Sequence, residues 1–397
     1  GTIALEAQLW HLMDTVDATQ DVESGETKKS PHATDRSSAR LVPHELPGCG
    51  VWRRFLPAIF VYPLWFYVMM KHDAWADAFG HFYVMSFTMI FGSFVAGSTP
   101  VGGGAVAFPV MVLYIKLLPE EGRDFSLMIQ SIGMTSASFL ILYSKRQLCH
   151  FWLIQWFLLS SLPGLLLGFE IPMNSRLTSL SFTTTISCFA IAFFYHRECR
   201  FNRKGEISEA QNAAVEAWEL MEGHFDLEKT VGWRAFGTSL PFVLVALACI
   251  FGITGGFLTA KLGSGADMLA YIFGILWNSL VPEGAQMSEN MLTASSVLIM
   301  AGCSVMSTFL RMLTAEISRE VLLCWAACVP VVVLGAPLGS MLLNPSSTKI
   351  LRRCFYVFVL VQFISMGALQ LRGDFVAWTV VLVAILITIV ISHMFLR

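Results

Sequence analysis

Seven long stretches of this 397-residue chain contain no Asp, Glu, Lys or Arg: Phe82 to Ile115, Phe125 to Ser144, Phe151 to Phe169, Ala235 to Ala260, Asn290 to Leu310, Val321 to Thr348 and Phe375 to Leu396. A largely apolar run of about 18 residues or more has the length of a transmembrane helix. One such run fits a buried core helix, but a series of seven fits only a chain that crosses a bilayer many times. Charged residues make up 14% and hydrophobic residues 55% of the sequence, too little polar surface for a soluble domain of this size. The runs are too long for barrel strands, which take about 9–11 residues each. Each also carries Gly, Pro, Ser or Thr, the small residues through which membrane helices pack closely. The fold class expected is an all-α polytopic membrane protein with about 10–12 membrane segments.

Six regions are expected along the chain. Residues 1–50 are a polar, loosely ordered tail, with a short interfacial helix from Leu5 to Met13. Residues 51–80 hold a first membrane helix and loop, and 81–196 a first repeat. Residues 197–235 form a cytosol-side linker with an amphipathic helix at Ile207 to Met221. Residues 236–372 form a second repeat and 373–397 a final membrane helix.

Two of the apolar regions are broken. The first contains Gly97-Ser98-Thr99-Pro100-Val101-Gly102-Gly103-Gly104, and the second Lys261-Leu262-Gly263-Ser264-Gly265-Ala266-Asp267. Three glycines beside a proline do not hold one regular helix. Backbone groups freed at membrane depth persist only when buried in protein or facing water. The two regions correspond at a spacing of about 160 residues, with Phe91-Gly92 recurring as Phe251-Gly252 and Gln130 to Ser136 as Asn290 to Ser296. If each broken region enters and returns on one side, most basic clusters fall on a single face, with Arg311 and Arg319 as exceptions. Each repeat then makes an odd number of crossings. The expectation is two inverted repeats with broken or re-entrant glycine-rich helices, an arrangement shared by many secondary transporters.

These motifs (GSTPVGGGAVAFP at Gly97 to Pro109, KLGSGAD at Lys261 to Asp267, and the later Thr135-Ser136 and Ser295-Ser296) resemble those of the sulfite exporter TauE/SafE family. The resemblance spans Phe82 to Leu396. It implies a permease for small sulfur-containing anions, sulfite or organosulfonates, with the glycine-rich regions meeting at the transport site. Lys261, Ser264 and Asp267 depart from the run of glycines usual in the second motif.

The residues themselves suggest how an anion would be held. Half-helix N-termini present unpaired N–H groups, and glycine lets a ligand approach them. Gly102, Gly103 and Gly104 would form one half of a cradle, with Gly263, Ser264 and Gly265 as the other; close helix packing is the plainer role for the same glycines. Ser98 and Thr99 are either solute donors or caps. Gln130 and Thr135, with Asn290 and Ser295 in the matching places, are candidate solute-facing groups. Lys261 and Asp267 are charged at membrane depth, where charge marks a partner, cavity or pathway. Lys261 would bind the anion or snorkel to an interface, Asp267 would accept a proton, or the two would lock together as a charge pair.

No cofactor is expected, and no P-loop, metal-spaced cluster or carboxylate pair calls for an enzyme. A net charge of −2 without a basic block argues against nucleic acid. The expected partners are membrane lipids and a small anionic solute; membrane-protein partners or a homo-oligomer stay open. The leading function is a secondary transporter of a small anion by alternating access. The alternative is a non-transporting accessory subunit that keeps the transporter scaffold.

Overall fold

The structure is a computed structural model that describes residues 56–195, 240–281, 286–341 and 375–394, with residues 353, 356, 357, 359, 360, 363 and 364. The tail, the linker and most of the segment expected at Cys354 to Leu371 lie outside the described residues. Every regular element described is helical: α1 Leu56–Lys71, α2 Trp75–Ser98, α3 Gly103–Pro109, α4 Pro119–Ser144, α5 Phe151–Glu170, α6 Ser175–Phe194, α7 Leu240–Leu262, α8 Ala266–Leu280, α9 Glu289–Thr314, α10 Arg319–Met341 and α11 Phe375–Met394. Eight of these are long and apolar enough to cross a bilayer, and α1 and α8 are shorter apolar helices. Large side chains such as Phe60 and Leu64 of α1 and Val376, Val380 and Leu386 of α11 face outward, as a lipid-facing surface requires. The chain is a multi-pass integral membrane protein.

Helix ends follow from local chemistry. Pro119 opens α4 where its missing N–H costs nothing, and the Glu121 carboxylate accepts the Leu118 N–H at 3.0 Å. The Ser288 hydroxyl accepts the Met291 N–H to start α9. Pro109 lacks the donor needed to continue α3, and the chain widens into a π-type turn over Val110–Ile115. Inside α10, Pro330 leaves the Ala326 carbonyl without its helical donor. Trp65 Nε1 of α1 supplies one at 2.8 Å, and the Tyr62 hydroxyl donates to the Pro330 carbonyl at 2.7 Å.

Glycine sets the closest packing. α2 lies along α10, where a Cβ on Gly97 would strike the Ala336 carbonyl and one on Gly339 the Phe94 carbonyl. α5 lies along α7, where a Cβ on Gly164 would strike the Ile253 carbonyl and one on Gly256 the Ser161 carbonyl. Both broken regions turn back. Gly103 sits against Ala96 and Gly92 against Val106, so α3 retraces α2. Gly255 sits against Ala266, and the Phe251 and Phe273 rings stand 5.7 Å apart, so α8 retraces α7.

α4 and α9 pack together running in opposite directions. Near the start of α4, Asp124 is held by Arg311 at the end of α9 (2.7 and 3.1 Å). Just past the end of α4, the His150 N–H donates to Ser295 near the start of α9 (3.0 Å). Both arginines that broke the charge pattern have carboxylate partners, since Arg319 meets Asp77 at 2.7 Å. α4 and α9 are each 26 residues long, and counted from their starts Gln130 stands level with Met300, while Ser126 stands level with Ser296.

Candidate functional site

At the first break, Pro100 cannot extend α2, and the last hydroxyls close the helix. Ser98 Oγ donates to the Phe94 and Val95 carbonyls (2.7 and 3.1 Å), and Thr99 Oγ1 donates to Val95 (2.8 Å). These two residues therefore act as helix-end groups. α3 begins at Gly103 with Gly102 in an extended conformation and no side-chain cap. A Cβ on Gly104 would collide with Ser126 Oγ, and one on Gly102 with Gln130 Oε1. Glycine at these positions lets the backbone lie directly on the polar face of α4.

The second break turns on Gly263 (φ 78°) and Gly265 (φ 151°), conformations that L side chains rarely adopt. The Gly263 carbonyl accepts from Ser126 Oγ at 2.9 Å and Gln130 Nε2 at 2.8 Å. The Ala266 N–H donates to Thr259 Oγ1 at 3.0 Å, and Asp267 Oδ1 accepts the Met268 N–H at 2.9 Å. Asp267 is fully buried, and its Oδ2 has no hydrogen-bond partner. A Cβ on Gly102 would lie 3.3 Å from that oxygen. The two breaks thus meet inside the protein, joined through Ser126 and Gln130.

Gly102, Gly104, Gln130, Gly263 and Asp267 converge there; Gly103, Ser264 and Gly265 are buried in the same two breaks. Other candidates lie elsewhere. Lys261 does not pair with Asp267: the glycine turn aims the two apart, and the long lysine chain reaches the Ile171 carbonyl beyond the end of α5, with Arg123 and Glu120 as its charged neighbours. Thr135 is exposed on the outer face of α4 and donates to its own Ser131 carbonyl (2.5 Å). Asn290 is half-buried in the first turn of α9. Ser295 is buried, but it serves the His150 backbone. Ser126 and Thr259 were not anticipated. A signal for Ser126 was present: it lies four residues before Gln130, one helical turn away on the same face. Ser138, Ser304, Ser307 and Thr308 also carry buried hydroxyls without partners, and Ser138 and Thr308 stand level when α4 and α9 are counted from their starts.

Beside Gln130 and Gly103 lies a cavity of about 10 Å³, at the lower limit for one water. At the nearby start of α4, Asp124 is bound by both Arg123 and Arg311, whose guanidinium groups each stand 5.9 Å from the Phe169 ring.

A profile of the sulfite exporter TauE/SafE family matches residues 85–366, which takes in both breaks. The chain belongs to the sulfite exporter TauE/SafE family. Neither a curated protein nor a solved structure matches it. TauE/SafE proteins are membrane transporters and not enzymes, so this site stands in a transporter scaffold.

Proposed function

We propose that the chain is a secondary transporter of a small anion, sulfite or an organosulfonate, working by alternating access of two halves built as an inverted repeat. One observation carries this reading: the glycine breaks of both halves are buried against each other, with the Gly263 carbonyl held by Ser126 and Gln130 of the other half. A junction between halves at interrupted helices is where membrane carriers bind solute. The opposed directions of α4 and α9 support the inversion, as do the matched pairings of α2 with α10 and α7 with α5. The closed packing corresponds to an occluded conformation, which relative motion of the halves would open. The substrate class rests on the family description.

The narrow cavity favours a second reading, a non-transporting accessory subunit that retains the scaffold. Flux decides between them. Purified protein in liposomes is expected to move sulfite or methanesulfonate in preference to chloride. Absence of flux for every anion, from protein that stays folded, would favour the accessory reading.

A further inference from the structure

Two buried acceptor atoms at the junction make no hydrogen bond of ordinary geometry. Gln130 Oε1 and Asp267 Oδ2 both lack a hydrogen-bond partner, in residues that are 2% and 0% exposed. They converge on one place: a Cβ on Gly102 would lie 3.3 Å from Asp267 Oδ2 and closer still to Gln130 Oε1. The orientation of the Gln130 amide is fixed chemically. One end lies 2.8 Å from the Gly263 carbonyl, which can only accept, so that end must be the NH₂ and the oxygen is the end that lies over Gly102. Two unsatisfied acceptors beside one backbone position in a dry interior are costly unless a donor is supplied. A metal ion does not suit the place. The N–H groups of Gly102 and Gly265 also face the carboxyl and would repel a cation.

We propose that Asp267 and Gln130 form the proton-binding site of the carrier, the proton sitting on Asp267 Oδ2 and being donated to Gln130 Oε1. This rests on the transport reading above. Loading adds one proton from water to the carboxylate to give the carboxylic acid; unloading returns it to water on whichever side the junction opens. Backbone N–H groups of Met268, Gly102 and Gly265 face the Asp267 carboxyl, but among the described residues no cationic side chain is paired with it. From α7, Lys261 turns away to Ile171; from α4, Asp124 is occupied by Arg123 and Arg311; from α9, the titratable group facing it is the Cys303 thiol, which itself donates to Ser161 of α5. Coupling follows from the location. An ionised Asp267 places negative charge at the junction where the anion would bind, and protonation removes it. Proton and anion therefore favour each other's binding, reciprocally, and cross together.

Two measurements on the full-length protein test this. Infrared spectra of the purified protein in lipid at neutral pH should show a carboxylic-acid C=O band that Asp267→Asn removes, and that Gln130→Leu, which deletes the acceptor, shifts to higher frequency. In liposomes, methanesulfonate is the probe because its own charge does not titrate near neutrality. Its uptake by the wild type should rise several-fold under an inward proton gradient, and Asp267→Asn should abolish that rise. A wild-type spectrum without the band overturns the proton site, whether or not the protein transports. Wild-type uptake that ignores the gradient overturns the coupling. No uptake from protein that shows the band rejects the transport reading and, with it, co-transport, while locating the proton.

Discussion

A methyl group on Gly263 would stand 2.7 Å from Ser126 Cβ and 2.9 Å from the Arg123 carbonyl, on a backbone with φ of 78°. Gly263→Ala is expected to destabilise by at least about 1–2 kcal/mol from the backbone alone, read as a lower denaturation midpoint in detergent. Gly80 provides the contrast. It lies within α2, and a Cβ there meets nothing within 4 Å. Gly80→Ala should stabilise by about 0.5–1 kcal/mol, because alanine loses less backbone freedom in a helix. Sequence marks Gly263 as part of a helix break but does not show what a side chain there would meet, and it gives Gly80 no role. Their opposite responses come from neighbours supplied by distant parts of the chain, Ser126 and Arg123 in one case and none in the other.

Elements are fastened at their ends. The Arg311–Asp124 pair joins the end of α9 to the start of α4, with side chains 19% and 9% exposed. Arg123 stays on Asp124 when Arg311 is removed, so the loss is partial, and a double-mutant cycle of Arg311→Met and Asp124→Leu should give a coupling of about 1–3 kcal/mol, below the figure for fully buried pairs. His150 caps α5 through Nδ1, which accepts the Leu153 N–H. Burial pulls its pKa from 6.5 down to about 4, so the folded protein binds that proton less readily than the unfolded chain. The stability gained is complete above 6.5 and is lost as pH falls toward 4, by up to about 3 kcal/mol. An unfolding series across this window, with His150→Asn as a cap that does not titrate, should show the slope in the wild type and its loss in the variant. The apolar segments were legible as elements; that His150 caps one of them depended on its ring being enclosed by Trp152 and Trp277.

For the whole molecule, the arrangement of α4 and α9 makes a prediction about sides. Lys116 precedes α4, Glu316 follows α9 and Arg146 follows α4, and all three are exposed. Single cysteines at these positions, in an otherwise cysteine-free protein, should react with an impermeant thiol reagent so that Lys116 and Glu316 label from one face and Arg146 from the other. Labelling of Lys116 and Glu316 from opposite faces would contradict the opposed directions of α4 and α9. The charge pattern alone treated Arg311 and Arg319 as exceptions; at this scale each has a carboxylate partner, Asp124 or Asp77.

Runs of residues without charge determined by themselves that this chain is a helical membrane protein, because hydrocarbon admits only helices and closed barrels and the runs are too long for barrel strands. Gly102 to Gly104, beside Pro100, and Gly263 with Gly265 likewise fixed where two helices must break, since a missing Cβ and a proline ring act locally. Tertiary structure alone decided what those breaks touch. Lys261 and Asp267, six residues apart, point to different places because Gly263 and Gly265 turn the chain between them. Thr135 and Gln130, five apart on one helix, face lipid and interior, and only the packing of α4 against α9 and the second break sets which is which. A contact such as Gln130 to Gly263 spans 133 residues, and such distances lie beyond what local spacing can encode.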